Sequence, residues 1–132
     1  MKFKYSIFQD KSFISGLSKL ASSAKLSIVS HVIPLSKLLV ALNKEEEYMK
    51  SIYKTLITEF GTVAKDGSIS ISKDSKEFTL FNKQVSELLN NEFSVEFEIL
   101  DITELVLSTA GIELSAYEIV SLNTIINITY DN

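Results

Sequence analysis

The sequence has no cysteine, no tryptophan and no arginine, and only one histidine and one proline in 132 residues. Without cysteine there can be no disulfide, no thiolate zinc site and no cysteine nucleophile. Arginine is the usual residue for bidentate contacts to phosphate and guanine. Its absence, with a formal net charge of -4, argues against specific nucleic-acid binding. No apolar run reaches the roughly 18–20 residues that a membrane span needs. The N-terminal stretch MKFKYSIF is too short and too alternating for a signal peptide, and no small-residue cleavage site follows it. The expectation is a cytosolic protein. No glycine-rich phosphate loop, nucleophile elbow or dinucleotide fingerprint occurs. No cofactor and no small-molecule substrate are therefore indicated.

What is present belongs to an ordinary folded chain: 45% hydrophobic and 23% charged residues. The length predicts one domain over residues 1–132. The charge is unevenly placed. Residues 1–83 hold all thirteen lysines against eight acids, a formal +5, whereas residues 84–132 hold nine acids and no base, a formal -9. Two readings follow. The halves neutralise each other by packing together, or the acidic third faces a basic partner through long-range attraction.

Alternation of Phe3, Tyr5 and Ile7 with Lys2, Lys4 and Ser6 predicts a half-buried strand over 2–8. Phe13, Ile14, Leu17, Leu20 and Ala21 recur at helical spacing. The stretch from Ala24 to Ile33 is a less regular apolar connection. Pro34 suits a first helical turn, and an apolar stripe then runs from Leu35 to Phe60 with a lapse at 43–48. One helix over 34–60 would be about 40 Å long. In the lapse, Glu46 and Glu47 can both reach Lys50, so the run is either a solvated stretch or a break between two helices. Gly61 is expected as a left-handed cap.

An Asp-Gly turn at 66–67 leads to a short strand near 68–72, and Asp74 with Glu77 resembles a capping box. Phe78, Phe81, Val85, Leu88 and Leu89 mark a helix ending at Asn90-Asn91. Phe93, Val95, Phe97 and Ile99 mark a strand over 93–99. If it pairs with 2–8, Lys2 and Lys4 come near Glu96 and Glu98. "LDITEL" and "LSAYEI" each read as a cap residue (Asp101, Ser115), a glutamate three positions on (Glu104, Glu118) and a flanking apolar pair. Gly111 ends the first of these helices, and Ile125, Ile126 and Ile128 close the core. The elements predict an α+β fold, with helices packed on one face of a small, mostly antiparallel sheet.

Few side chains invite chemistry. His31 has no second histidine and no motif around it, and reads as structural or exposed. Glu45, Glu46 and Glu47 point about 100° apart on a helix and cannot converge on one metal ion. Glu104 and Glu118 are explained as caps. Tyr53 reads as core. Glu45, Glu46, Glu47 and Tyr48 remain as candidate partner-binding residues, tyrosine being a rigid amphipathic anchor.

The order of parts is itself distinctive. "LSKLASS" leads to "PLSKLLVALNKEEEYMKSIYKTLITEFG", then "EFTLFNKQVSELLNNEFSVEF", then "IELSAYEIVSLNTII". Across roughly residues 17–126 this resembles a group of small uncharacterised proteins of tailed bacteriophages that infect low-GC bacteria. The matching positions are Phe60, Gly61, Phe81, Asn82, Leu88, Leu89, Asn90, Leu114 and Ser115. They are helix caps and core positions. The N-terminal strand and the short loop before Ser68 depart from the pattern. The resemblance implies a phage origin and no particular activity.

The expected function is that of a non-enzymatic, protein-binding phage accessory protein, acting on a host or phage protein in the host cytoplasm or within the virion. The alternatives are a virion or assembly component that self-associates through the helix beyond Leu42, and an acidic inhibitor that imitates nucleic acid to a host defence enzyme.

Overall fold

Four of the five α-helices of the described chain begin where a short polar side chain turns back onto a backbone N–H of the first turn. The computed structural model describes residues 1–23 and 25–130. Asp10 accepts from Phe13 N (3.1 Å) and opens α1, Lys11–Ala21. Ser75 accepts from Phe78 N (3.1 Å) and opens α3, Lys76–Asn90. Thr103 accepts from Val106 N (3.2 Å) and opens α4, Glu104–Thr109. Ser115 and Glu118 close a full capping box on α5, Ala116–Leu122. The remaining helix, α2 (Ile33–Phe60), has no side-chain cap. It grows out of a π-helical turn, Ile28–Val32, with Pro34 in its first turn, where a missing N–H costs little. Of the expected connection from Ala24 to Ile33, Ala24 lies outside the described residues.

The long helix is continuous through the glutamates. Its 28 residues span about 42 Å, and the run at 43–48 is solvated rather than broken. Leu35, Leu38 and Leu42 bury in the main core. Beyond Leu42 the helix packs against α3, where Tyr53 meets the buried Phe81 edge-on at 5.6 Å.

The α+β class holds, with helices packed against small, open, mostly antiparallel ladders. β1 (Lys2–Lys4) pairs antiparallel with β4 (Glu92–Ser94), β2 (Thr62–Val63) with β3 (Ile69–Ser70), and β5 (Leu100–Thr103) runs parallel to β6 (Ile126–Thr129). Several expectations are corrected. The strand at 2–8 stops at Lys4, because residues 5–9 turn into a 3-10 helix that stacks Tyr5 and Phe8 on Phe93. The alternating stretch 93–99 has a partner only at its start. Its register sets Lys4 opposite Glu92 and Lys2 opposite Ser94, not Glu96 and Glu98. The 68–72 strand forms its own hairpin with β2. Asp101 is not a cap: it lies in β5, where Asn127 Nδ2 donates to it across the ladder at 3.0 Å. Leu105 is consequently exposed rather than stapled. Asp74 likewise yields its cap role to Ser75.

A parallel pair needs a crossover, and here the crossover is α4, the link 110–115 and α5. It lays α5 against α1, and the two lie so close that Gly16 touches the buried Leu122. A Cβ on Gly16 would sit 2.6 Å from Leu122 Cδ1 and 3.4 Å from Glu118 Cβ. Gly61 is also set by space. Its φ of -95° suits any residue, contrary to the left-handed cap expected, but a Cβ would overlap the Ile57 carbonyl and Ile69.

Replacing Gly16 by alanine tests the α1–α5 contact. Overpacking costs about 1–3 kcal/mol and alanine returns about 1 kcal/mol of helix propensity. Urea unfolding of Gly16→Ala is expected to show a net loss of about 1 kcal/mol. A gain in stability would mean that the two helices are not packed this closely.

Candidate functional site

The acidic run on α2 is largely engaged by its own chain. Glu45 accepts a 2.7 Å hydrogen bond from the Tyr5 hydroxyl. Burial, and then this bond to a carboxylate, push the Tyr5 phenol up to about 12. Glu46 pairs with Lys50 at 3.1 Å, and Glu47 reaches the same ammonium only at 4.0 Å. Glu47 and Tyr48 are the members of the run that face solvent.

A second carboxylate has more partners than its cap role requires. Among the described residues Glu118 is the one charged residue that is buried. Its Oε1 accepts from Lys19 Nζ at 2.7 Å and from Ser115 N at 2.9 Å, and its Oε2 accepts from Ser15 Oγ at 3.0 Å. Lys19 also donates to the Glu113 carbonyl at 3.0 Å, fixing the link before α5. The Lys19 ammonium first, and the Ser115 N–H next, hold the Glu118 carboxyl down at about 2 against the opposing effect of burial. At the other end of the pair, Ser121 Oγ contacts the α1 cap Asp10 at 3.4 Å. Glu118 is thus a clamp between helices with no face open to a substrate. Sequence reasoning identified it as a cap and missed the clamp. Gly16 inside an otherwise good helix was the local sign that something packs tightly there.

The rest of the acidic third is left outward. Glu87, Glu92, Glu96, Glu98, Asp101, Glu104 and Glu113 are all exposed. Among the described residues no lysine nitrogen lies within 4.0 Å of any of them. Asp131, the ninth acid, lies outside the described residues. Among the described residues the two halves therefore share a single ion pair, Lys19–Glu118. Large apolar side chains stand among these acids: Leu105 is 65% exposed, Tyr117 80% and Val120 69%. Between α4, the link 111–114, α5 and the end of β6 lies a groove of about 360 Å³, with Glu104 and Glu113 at its edge.

His31 sits in the π-turn, half-buried, its Nδ1 enclosed without a hydrogen-bond partner from the described residues. Among those residues no three acids or histidines gather so as to hold a metal ion, and no helix is long and apolar enough to cross a membrane. In comparisons with known proteins, no family, no curated protein and no solved structure matches the chain.

Two substitutions test these assignments. Glutamine can replace glutamate in a capping box, so Glu118→Gln removes the charge and keeps the cap. With a carboxyl held near 2 in the folded chain and near 4.5 when unfolded, the clamp stabilises fully above about pH 5 and is lost as pH falls toward 2. Thermal unfolding is expected to find the variant less stable at neutral pH and to find the two curves converging in acid. A gap that persists unchanged at pH 2 would contradict the ion-pair assignment. Tyr5→Phe removes one hydrogen bond to a half-buried carboxylate, for an expected cost of about 1–2 kcal/mol. It should also remove the last tyrosine to ionise in an alkaline titration, since the raised phenol holds its proton until about 12.

Proposed function

We propose that the protein is a non-enzymatic binding module that docks a basic protein through its acidic C-terminal third. One observation carries this reading. Seven exposed acids lie between residues 84 and 130 with no ion pair among the described residues, although the chain's other half carries thirteen lysines. Unneutralised surface charge steers an oppositely charged partner and raises its association rate. Exposed Leu105, Tyr117 and Val120 among those acids supply apolar anchors within a polar rim, the usual anatomy of a protein interface. The engagement of Glu118 in a cap and a clamp supports a binding role over carboxylate catalysis.

The resemblance to proteins of tailed phages supports an accessory protein acting on a host or phage protein, in the host cytoplasm or from the particle. Glu47 and Tyr48 on α2 form a smaller second contact surface. The half of α2 beyond Leu42, considered for self-association, already meets α3. One variant of the reading is that the partner surface is one that otherwise binds nucleic acid.

Capture from host lysate with mass spectrometry, at low salt and at about 1 M salt where the Debye length is about 3 Å, tests the proposal. The expected result is a basic partner held at low salt, released at high salt, and lost when Glu92, Glu96, Glu98 and Asp101 are changed together to lysine. A partner held equally by wild type and variant, with no salt dependence, overturns it. Competition by DNA for the same partner separates the nucleic-acid-like variant from the general reading.

A further inference from the structure

The groove at the end of β6 differs from the rest of the acidic face, because it has an apolar floor. Leu107 from α4, Ile112 and Leu114 from the link, Ile119 from α5 and Ile128 from β6 line it. Leu107 is buried and the other four are half-buried, so the floor is partly wet although it lies beside the main core. The edge carries Tyr130 and two carboxylates, Glu104 and Glu113. Both acids are exposed, and neither side chain has an ion pair or side-chain hydrogen bond among the described residues. Lys19, beside the link, is already engaged: it is held by Glu118 Oε1 at 2.7 Å and by the Glu113 carbonyl at 3.0 Å. Those two bonds also fix the link that forms one wall.

From this arrangement we infer that the groove is the seat for a short peptide segment of the partner protein, one that places apolar side chains on the floor and lysine or arginine against Glu104 and Glu113. The inference rests on the binding role proposed above and names the part of the acidic face that recognises sequence. Charge complementarity selects the occupant. A nucleic acid or an anionic membrane surface would be repelled by the same two carboxylates. A purely apolar ligand would leave both carboxylates crowded by its uncharged ends. A segment with apolar residues between basic ones satisfies floor and rim together. The volume of about 360 Å³ is at the small end for a ligand site, which suits one or two side chains rather than a whole helix. The exposed acids elsewhere on the face then act in steering, and the groove in discrimination.

The test uses the isotopically labelled full chain and a synthetic octapeptide with two leucines flanked by pairs of lysines. Two controls accompany it: the same peptide with serines for the leucines, and with glutamates for the lysines. Amide shifts are followed by NMR at low ionic strength. The expected result is saturable shifts at residues 104–114, 119 and 128–130, absent with the serine and glutamate peptides. Reversing both rim charges, Glu104→Lys with Glu113→Lys, is expected to weaken binding about thirtyfold, two surface pairs at the upper end of their range. Neither acid closes a helix cap, so the fold is not at risk, and Glu113→Lys alone provides a milder variant. Shifts centred on residues 92–101 would overturn the groove and leave the acidic-face reading standing. No shift with any peptide would overturn both. Equal binding of the serine peptide, or groove shifts that appear on concentrating the protein alone, would overturn the groove in favour of bare charge or of a second copy.

Discussion

Everything in this fold turns on how α1 is held against α5. Each helix borrows an acid that caps the other. Asp10 opens α1 and contacts Ser121 of α5, while Glu118 closes the capping box of α5 and accepts from Ser15 and Lys19 of α1. Between these polar ends Gly16 lets Leu122 come into contact with the α1 backbone. A carboxylate drawn out of water repays its desolvation only when its geometry is good and its remaining lone pairs are satisfied. Glu118 meets that condition with three donors. The result is a seam that is apolar in the middle and hydrogen-bonded at both ends, joining the first helix to the last.

The seam fixes the rest of the chain's arrangement. It orients the crossover from β5 to β6, which buries Ile102, Leu122, Ile125 and Ile126 in the same cluster as Phe13, Leu17 and Leu20. It also sets the electrostatics. One acid of the C-terminal third is drawn inside and neutralised, and the seven others that the structure describes remain in water. Uncompensated like charges weaken the folded state slightly by self-repulsion. The packed α1–α5 seam offsets that repulsion. The far half of α2 plays a separate part. It carries α3 and the β2–β3 hairpin as a second layer, where Tyr53 meets Phe81, and Leu88 ties α3 to the main cluster.

Much of the local structure could be read from residue order, and the two misread helix starts share one cause. Ser115 with Glu118 spelled out a capping box, and the box is there. The apolar periods of α1, α2 and α3 placed the helices; up to Leu42 their inward positions are mostly core, Ile14 being an exception, but beyond it most are half-buried and Tyr53, expected in the core, is exposed. Asp74 and Asp101 were each misread as caps because a second polar residue, Ser75 or Thr103, stood close behind and competed for the same N–H groups. Misreading Asp101 hid β5, a strand of four residues whose parallel partner is 26 positions away. The clamp was not legible at all. Lys19 and Ser15 lie 99 and 103 positions from Glu118, and no local pattern links residues so far apart. The outward acids were counted correctly, but whether they were neutralised depended on three-dimensional pairing. The groove likewise depends on four separate elements meeting.

If α1 and α5 form one clamped unit, they must open together. Native-state hydrogen exchange in rising denaturant measures this directly. The account predicts that the central amides of α1 and those of α5 from Ile119 onward merge into a single opening at the global unfolding free energy, while α3 and the β2–β3 hairpin open earlier. Exchange of the α5 amides by an independent, low-energy opening, with α1 still fully protected, would contradict it.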